Sequence, residues 1–565
     1  MNLAKRIDAA LGKTASDLVI RNTEILSVTT GEWIHGDIAI ADGVIVYAGP
    51  DAGPGREEID GTGRFAVPGF IDSHVHVESS HALPGAFEQA VLPRGTTTAV
   101  CDPHELANVC GKEAIRYFLE CAAELRMDLA VQLSSCVPAT PLETAGAELS
   151  GEDLREYMHH PCAGGLAEMM NVPGVLLKVP EVLSKLEIFD GKVTDGHAPL
   201  VSGKPPQAYI ACGVGSDHEC STPEEAMEKI RCGMTVFIRE GSVAKNLTAL
   251  RPILTPETAD FVALCTDDRN VMDILESGHM DALIRQLIAF GTAPELAYRA
   301  ASLSAARYFR MYDRGMIAPG KKADVVLLDD VRTCRVRQVV KSGTVVDPEA
   351  VSPSLPDWSF AAHSVKRAPV TAEDFAVPSK KTSTPVIQIV PDSLITNRLD
   401  ADLPLKNGFK QPLPEKDILK LAVFARHGRN SNVGRGFVTG FGLKRGALAS
   451  SVGHDSHNLC VTGVTDEDMA LAVNTLIECG GGYAAVADGR VLAVVPFPAG
   501  GLMSDKSFPE IAGELKTLYQ AVLESGCAVQ DPFMQLAFLP LAVIPHLKLT
   551  DKGLVDVSGF DFLEV

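Results

Sequence analysis

The chain has 565 residues, 46% of them hydrophobic and 22% charged, a composition that suits a globular protein. It is too long for one core, so about two to four domains are expected. A formal net charge of −21 leaves no cationic surplus to neutralise phosphates, and no apolar run approaches the roughly 20 residues of a membrane helix, which argues against both nucleic acid and membrane as partners.

The first residues, "MNLAKRIDAALGKT", lack the apolar run of a secretory signal and read as a short amphipathic helix before a strand. The 13 cysteines are scattered with no C-x-x-C, as expected of reduced thiols in a cytoplasm. From 17 to 66 the pattern alternates, with "DG" turns between short apolar runs, which signals β-hairpins. A similar texture returns at "GMIAPGKKADVVLLDD" and "CRVRQVVKSGTVV". Residues 1–67 and 316–350 are therefore expected to form one small β-sandwich domain in two segments.

Between them, residues 68–315 alternate strand and helix patterns. Eight runs read as strands: "GFIDSHVHV", "GTTTAVCD", "DLAVQLSSC", "GGLAEMM", "KVTDGH", "AYIACGVGSDHE", "MTVFIREGS" and "FVALCTDD". Eight βα units in about 250 residues predict an α/β fold of the (β/α)8 barrel type. The competitor, a doubly wound sheet, lacks any G-x-G-x-x-G after a strand. Residues 351–390, rich in Pro, Ser and Ala, read as a linker, and 391–565 as a C-terminal α+β domain.

In a barrel the chemistry gathers at the C-terminal strand ends. There the sequence places His74 and His76, then Asp102, His104 and Glu105, Glu168, His197, His218 and Glu219, and finally Asp267 and Asp268. His74 and His76, two apart on a strand, face the same side. With His197, His218, Glu168 and Asp267 they are enough for a two-metal site in which Glu168 bridges. Each residue alone reads as well as a rim hydrogen bond; the shared position at strand ends is what favours ligands. His76-Val77-Glu78 matches the H-x-E of cytidine-deaminase sites, but the companion P-C-x-x-C is missing.

These residues carry a family resemblance. "PGFIDSHVHVESS", "GTTTAVCDPHELANV", "GLAEMMNVPGV", "DGHAP", "DHE", "IREGS" and "TDD" resemble, in order, adenine deaminases of the amidohydrolase superfamily. "GHDSHN" and "GLMSD" resemble that family's C-terminal domain. The resemblance implies a metal-dependent hydrolase barrel acting on adenine in purine salvage. It also implies two divalent ions: manganese is what the family suggests, while the ligand types suit Mn, Fe or Zn.

On this reading Asp267 passes a proton from the attacking water to the leaving amine, and Glu168 is a secondary proton carrier. His104, Glu105, Arg239, Ser242 and Asp268 are candidate purine contacts, with plain rim roles or, for Arg239, a salt bridge as the alternatives. His454, Asp455, His457 and Asn458 in "GHDSHN" read as turn chemistry, with a metal site as the alternative. This region or "PAGGLMSD" is expected to cover the barrel mouth. A homo-oligomer is expected. The competing functions are another amidohydrolase reaction, such as cyclic amide opening, and a non-catalytic scaffold.

Overall fold

A computed structural model of the chain describes residues 3–350, 354–390 and 393–565. Its centre is a set of eight parallel strands: β1 (Phe70–Val75), β2 (Thr96–Cys101), β3 (Asp128–Leu133), β4 (Ala163–Met169), β5 (Val193–Gly196), β6 (Ser216–Asp217), β7 (Thr235–Arg239) and β8 (Val262–Cys265). β1 to β5 pair in sequence order as one sheet and β6 to β8 as another. The sheets meet where the Gly215 amide donates to the Thr194 carbonyl at 2.9 Å. At the far side the Asp267 amide donates to the His74 carbonyl at 2.9 Å, and Val75 and Asp267 form a parallel bridge. The parallel sheet therefore curls until its first and last strands touch.

Every residue of β1, β2, β5, β7 and β8 is buried. Strands covered on both faces lose the polar–apolar alternation of half-exposed ones; β7 and β8 are largely apolar, while β1, β2 and β5 bury polar residues such as Asp72, Thr98 and Asp195. The sixth run was read too long: Lys204–Ala211 is a helix, and only Ser216–Asp217 is strand. Residues 208–211, "AYIA", are a short apolar run within that helix, of which only Tyr209 is buried, and a run this short does not tell strand from helix by pattern.

Chain ends flanking this core share one sheet. Ser16–Ser27 pairs antiparallel with Glu32–Ala41 and parallel with Phe65–Pro68, which in turn pairs antiparallel with Val325–Asp330. The "DG" signal holds at Asp42-Gly43, where φ values of 52° and 69° join Ala41 directly to Val44. Two successive positive φ angles are the requirement of a tight hairpin turn.

The C-terminal region builds an eight-stranded sheet with helices Asp466–Cys479 and Phe508–Glu524 beside it. Ser383–Ile389 is an inner strand of that sheet, between Thr396–Asp402 and Val433–Thr439. It lies inside the stretch 351–390 read as linker, so that stretch is not all connection; residues 351–353 fall outside the described residues. Among the described residues no helix is long and apolar enough to cross a membrane.

Candidate metal centre

The six residues read as ligands converge at the C-terminal ends of the curled sheet, all buried. His74 lies in β1 and His76 one residue past its end. His197 and His218 directly follow β5 and β6, and Asp267 follows β8 by two. Asp267 has φ 53°, a left-handed conformation that aspartate tolerates better than most residues, and this turn accompanies its bridge to β1. Below, Asp72 of β1 accepts from the Thr266 hydroxyl at 2.5 Å and amide at 3.0 Å, tying β1 to β8.

The separations are those of donors around cations. His74 Nε2 lies 3.0 Å from His76 Nε2, 3.5 Å from Glu168 Oε1 and 3.7 Å from Asp267 Oδ1. His76 Nε2 lies 3.4 Å from Glu168 Oε1 and 3.3 Å from Asp267 Oδ1. Donors at about 2.1 Å from a tetrahedral ion stand about 3.4 Å apart. The other oxygen, Glu168 Oε2, faces His197 Nδ1 at 2.8 Å and His218 Nε2 at 3.4 Å. Glu168 thus offers one oxygen to each of two donor groups. His76 Nδ1 sits 3.0 Å from the Asp102 carbonyl, which fixes its proton there and leaves Nε2 free to ligate.

Burial pushes the Glu168 carboxyl up, but His218, His197 and His74 outweigh it and hold the group well below the carboxylate range. Burial likewise opposes ionisation of Asp267, and Arg239 with His76 and His218 reverses the effect. Asp268 goes the other way, raised by burial and by the Asp267 charge beside it.

The remaining candidates are placed unequally. Arg239 Nη1 donates to Asp267 Oδ2 at 2.7 Å and also contacts Glu219 Oε1, while Nη2 donates to Glu219 Oε2 at 2.9 Å. It pairs with both carboxylates and also lines the cavity. Asp268 reaches the cavity and accepts from Ser79 Oγ at 2.5 Å. His104 and Glu105 also line the cavity. Ser242 is not brought in: its hydroxyl donates to Asp273 at 2.5 Å and accepts from the Asn270 amide at 2.9 Å, beside a separate cavity. Glu78 accepts from the Leu106 amide at 3.1 Å, in the first turn of the helix His104–Cys110. His279 starts the helix Met280–Ala289.

One wall of the cavity is apolar and comes largely from the C-terminal region: Met170, Leu394, Phe538, Leu541 and Ile544. These carried no signal, since an apolar residue in a loop reads like any other core residue. His454 and Asp455 of "GHDSHN" line the cavity too. "PAGGLMSD" packs alongside, with the Ser504 amide donating to the His81 carbonyl at 2.8 Å.

Comparison with known proteins identifies the family. Residues 65–346 match the amidohydrolase family model and residues 393–561 match the adenine deaminase C-terminal domain. The chain is 51% identical over 568 residues to an adenine deaminase of Gluconobacter oxydans (strain 621H), covering 99% of each. It is 52% identical over 563 residues to one of Cereibacter sphaeroides (strain ATCC 17025 / ATH 2.4.3), covering 100% of this chain and 99% of the relative.

Proposed function

The chain belongs to the adenine deaminase family of amidohydrolases, and on that premise we propose that it hydrolyses adenine at C6 to hypoxanthine and ammonia. The observation that carries the reading is the division of the Glu168 oxygens between two buried donor groups. We read the eight curled strands as a closed (β/α)8 barrel. Residues 1–67 and 316–350 then form one small β domain, and the C-terminal α+β domain supplies the apolar wall; the pairing of Phe65–Pro68 with Val325–Leu328 supports the first assignment.

His74, His76, Glu168, His197, His218 and Asp267 would hold two divalent cations, for which manganese, iron and zinc all suit the mixed imidazole and carboxylate set. Bound there, such ions lower the pKa of water and polarise the bond under attack. Asp267 Oδ1 takes a proton from the attacking water and returns it to the leaving amine. Arg239 keeps that carboxylate ionised. Asp268, whose carboxyl burial and the Asp267 charge push up, would exchange a proton with the purine, giving one to a ring nitrogen as aromaticity is lost and recovering one from the C6 hydroxyl as ammonia leaves. The apolar wall fits the flat face of a purine. All 13 cysteines are free, which supports a reducing, cytoplasmic setting.

The test is ammonia release from adenine, adenosine, cytosine and guanine, run on metal-analysed protein. Release from adenine alone is expected. A metal-loaded protein that leaves adenine intact but opens a cyclic amide overturns the substrate, and one that never holds metal overturns the centre.

A further inference from the structure

A second set of convergent donors stands at the same mouth, and the reaction above leaves it unused. His104 and Glu105 open the helix His104–Cys110 after β2. His454 and Asp455 come from the loop between Ala447–Ser450 and Leu459–Gly463. All four side chains are buried.

His104 Nε2 lies 3.2 Å from Glu105 Oε1 and 3.7 Å from Asp455 Oδ1. His454 Nδ1 lies 2.7 Å from Glu105 Oε1 and 3.9 Å from Asp455 Oδ1. Despite this crowding, neither Glu105 oxygen makes a hydrogen bond, and nor do Asp455 Oδ2 and His454 Nε2. Buried polar atoms are almost always paired, so carboxylate oxygens left without hydrogen bonds among imidazole nitrogens point to a cation.

The neighbours set the right tautomers. His104 Nδ1 is 2.8 Å from Asp102 Oδ2, while the other Asp102 oxygen accepts from Ser134 Oγ at 2.7 Å and the His104 amide at 3.1 Å. The ring proton is therefore on Nδ1, and the Nε2 lone pair faces Glu105 and Asp455. A carboxylate behind an imidazole is the usual support of a metal-ligating histidine. His457 Nδ1 accepts from the Gly453 amide at 3.2 Å, so its proton is on Nε2, which faces Glu105 Oε2. Glu105 Oε2 thus faces His457, and Oε1 faces His104 and His454. The His454 ring is held flat on Phe538, centroids 4.4 Å apart.

We propose that His104 Nε2, Glu105 Oε1, His454 Nδ1 and Asp455 Oδ1 bind a further divalent cation, distinct from the pair divided by Glu168. Two ligands come from the barrel and two from the C-terminal region, so the ion fastens one to the other. Two imidazoles and two carboxylates suit zinc or manganese. The assignment goes beyond the adenine reading and does not depend on it.

The experiment counts ions in full-length protein stripped with chelator, loaded with Mn2+ and freed of excess. Three ions per chain are expected in the wild type and two in both His454→Gln and Asp455→Asn. His218→Asn should lose an ion from the other centre and keep this one, so failure of either site shows separately. A wild-type count of two, or a count of three that neither His454→Gln nor Asp455→Asn lowers, overturns the proposal. Should a variant not fold, an anomalous difference map from Mn2+-soaked wild-type crystals decides: a peak among the four atoms sustains the site, and featureless density there ends it.

Discussion

Arg239 Nη1 donates to Asp267 Oδ2 at 2.7 Å, while the other oxygen of the same carboxylate faces His76 Nε2 at 3.3 Å. The two oxygens thus serve different ends. One is tied to a fixed positive charge, and the other is left for the proposed metal centre and proton transfer. Asp267→Asn should keep the metal, because an amide oxygen still fits, and lose about 10²–10⁴-fold in turnover, the usual worth of general acid–base help. Metal analysis beside kcat checks both halves; a variant with wild-type turnover removes Asp267 from the mechanism.

Arg239 acts on the same group through its charge. Asp267 works as a base only when ionised, and Arg239 opposes the upward pull of burial on it. Arg239→Met should therefore raise the Asp267 pKa and move the acid limb of the kcat/KM profile to higher pH. A profile that falls in amplitude without moving would make Arg239 a packing residue only.

Glu168→Gln tests the bridge. The amide offers one oxygen, and its nitrogen cannot ligate, so one of the two donor groups loses a member. Metal content should drop by one ion per chain and deamination should fall with it. Full metal content in this variant would mean that the two donor groups do not share Glu168.

Phe538 stacks on His454 and lines the apolar wall. Phe538→Ala should raise KM for adenine roughly tenfold, equivalent to about 1.4 kcal/mol of lost binding, with the Glu168-bridged pair still loaded. Because truncating a buried phenylalanine costs about 3–5 kcal/mol of stability, a melting curve must accompany the kinetics. An unchanged KM in folded protein would place the purine elsewhere.

Lys548 is fully buried and donates to the carbonyls of Leu394 at 2.8 Å and Phe538 at 3.0 Å. Burial pushes its pKa down to about 7. The unfolded chain, with a lysine pKa of about 10.4, then binds a proton that the folded chain lacks between about pH 7 and about pH 10. Stability should rise with pH across that window, by up to about 1.4 kcal/mol per unit, and this contribution should vanish below about pH 7, where both states are protonated. Lys548→Met should remove the slope. Urea melts at pH 6, 7, 8 and 9 measure it, and equal slopes in both proteins would refute the lysine's part.

The six convergent side chains were legible because each sits at or just past a strand end, where a one-residue error in the boundary hardly moves a side chain. His74 and His76 also announce themselves by the two-residue period that sets strand neighbours on one side. β6 was less legible, because its two residues follow a helix whose short apolar run imitates a strand. Ser383–Ile389 was hidden by the prolines and serines around it, although "VIQI" is a β-branched run. The cavity wall could not be read at all: Leu394 and Phe538 owe their place to tertiary packing, and no local pattern encodes it. "GHDSHN" was visible as a polar knot, yet nothing in the sequence says that it faces Glu105, some 350 residues earlier.

The antiparallel pairing of Phe65–Pro68 with Val325–Leu328 has a consequence for biosynthesis. About 250 residues must emerge after the first strand before its partner exists, which at roughly 5–20 residues per second takes on the order of 10–50 s. Throughout that interval the nascent amino-terminal sheet presents a bare hydrogen-bonding edge, the kind of template on which other chains nucleate.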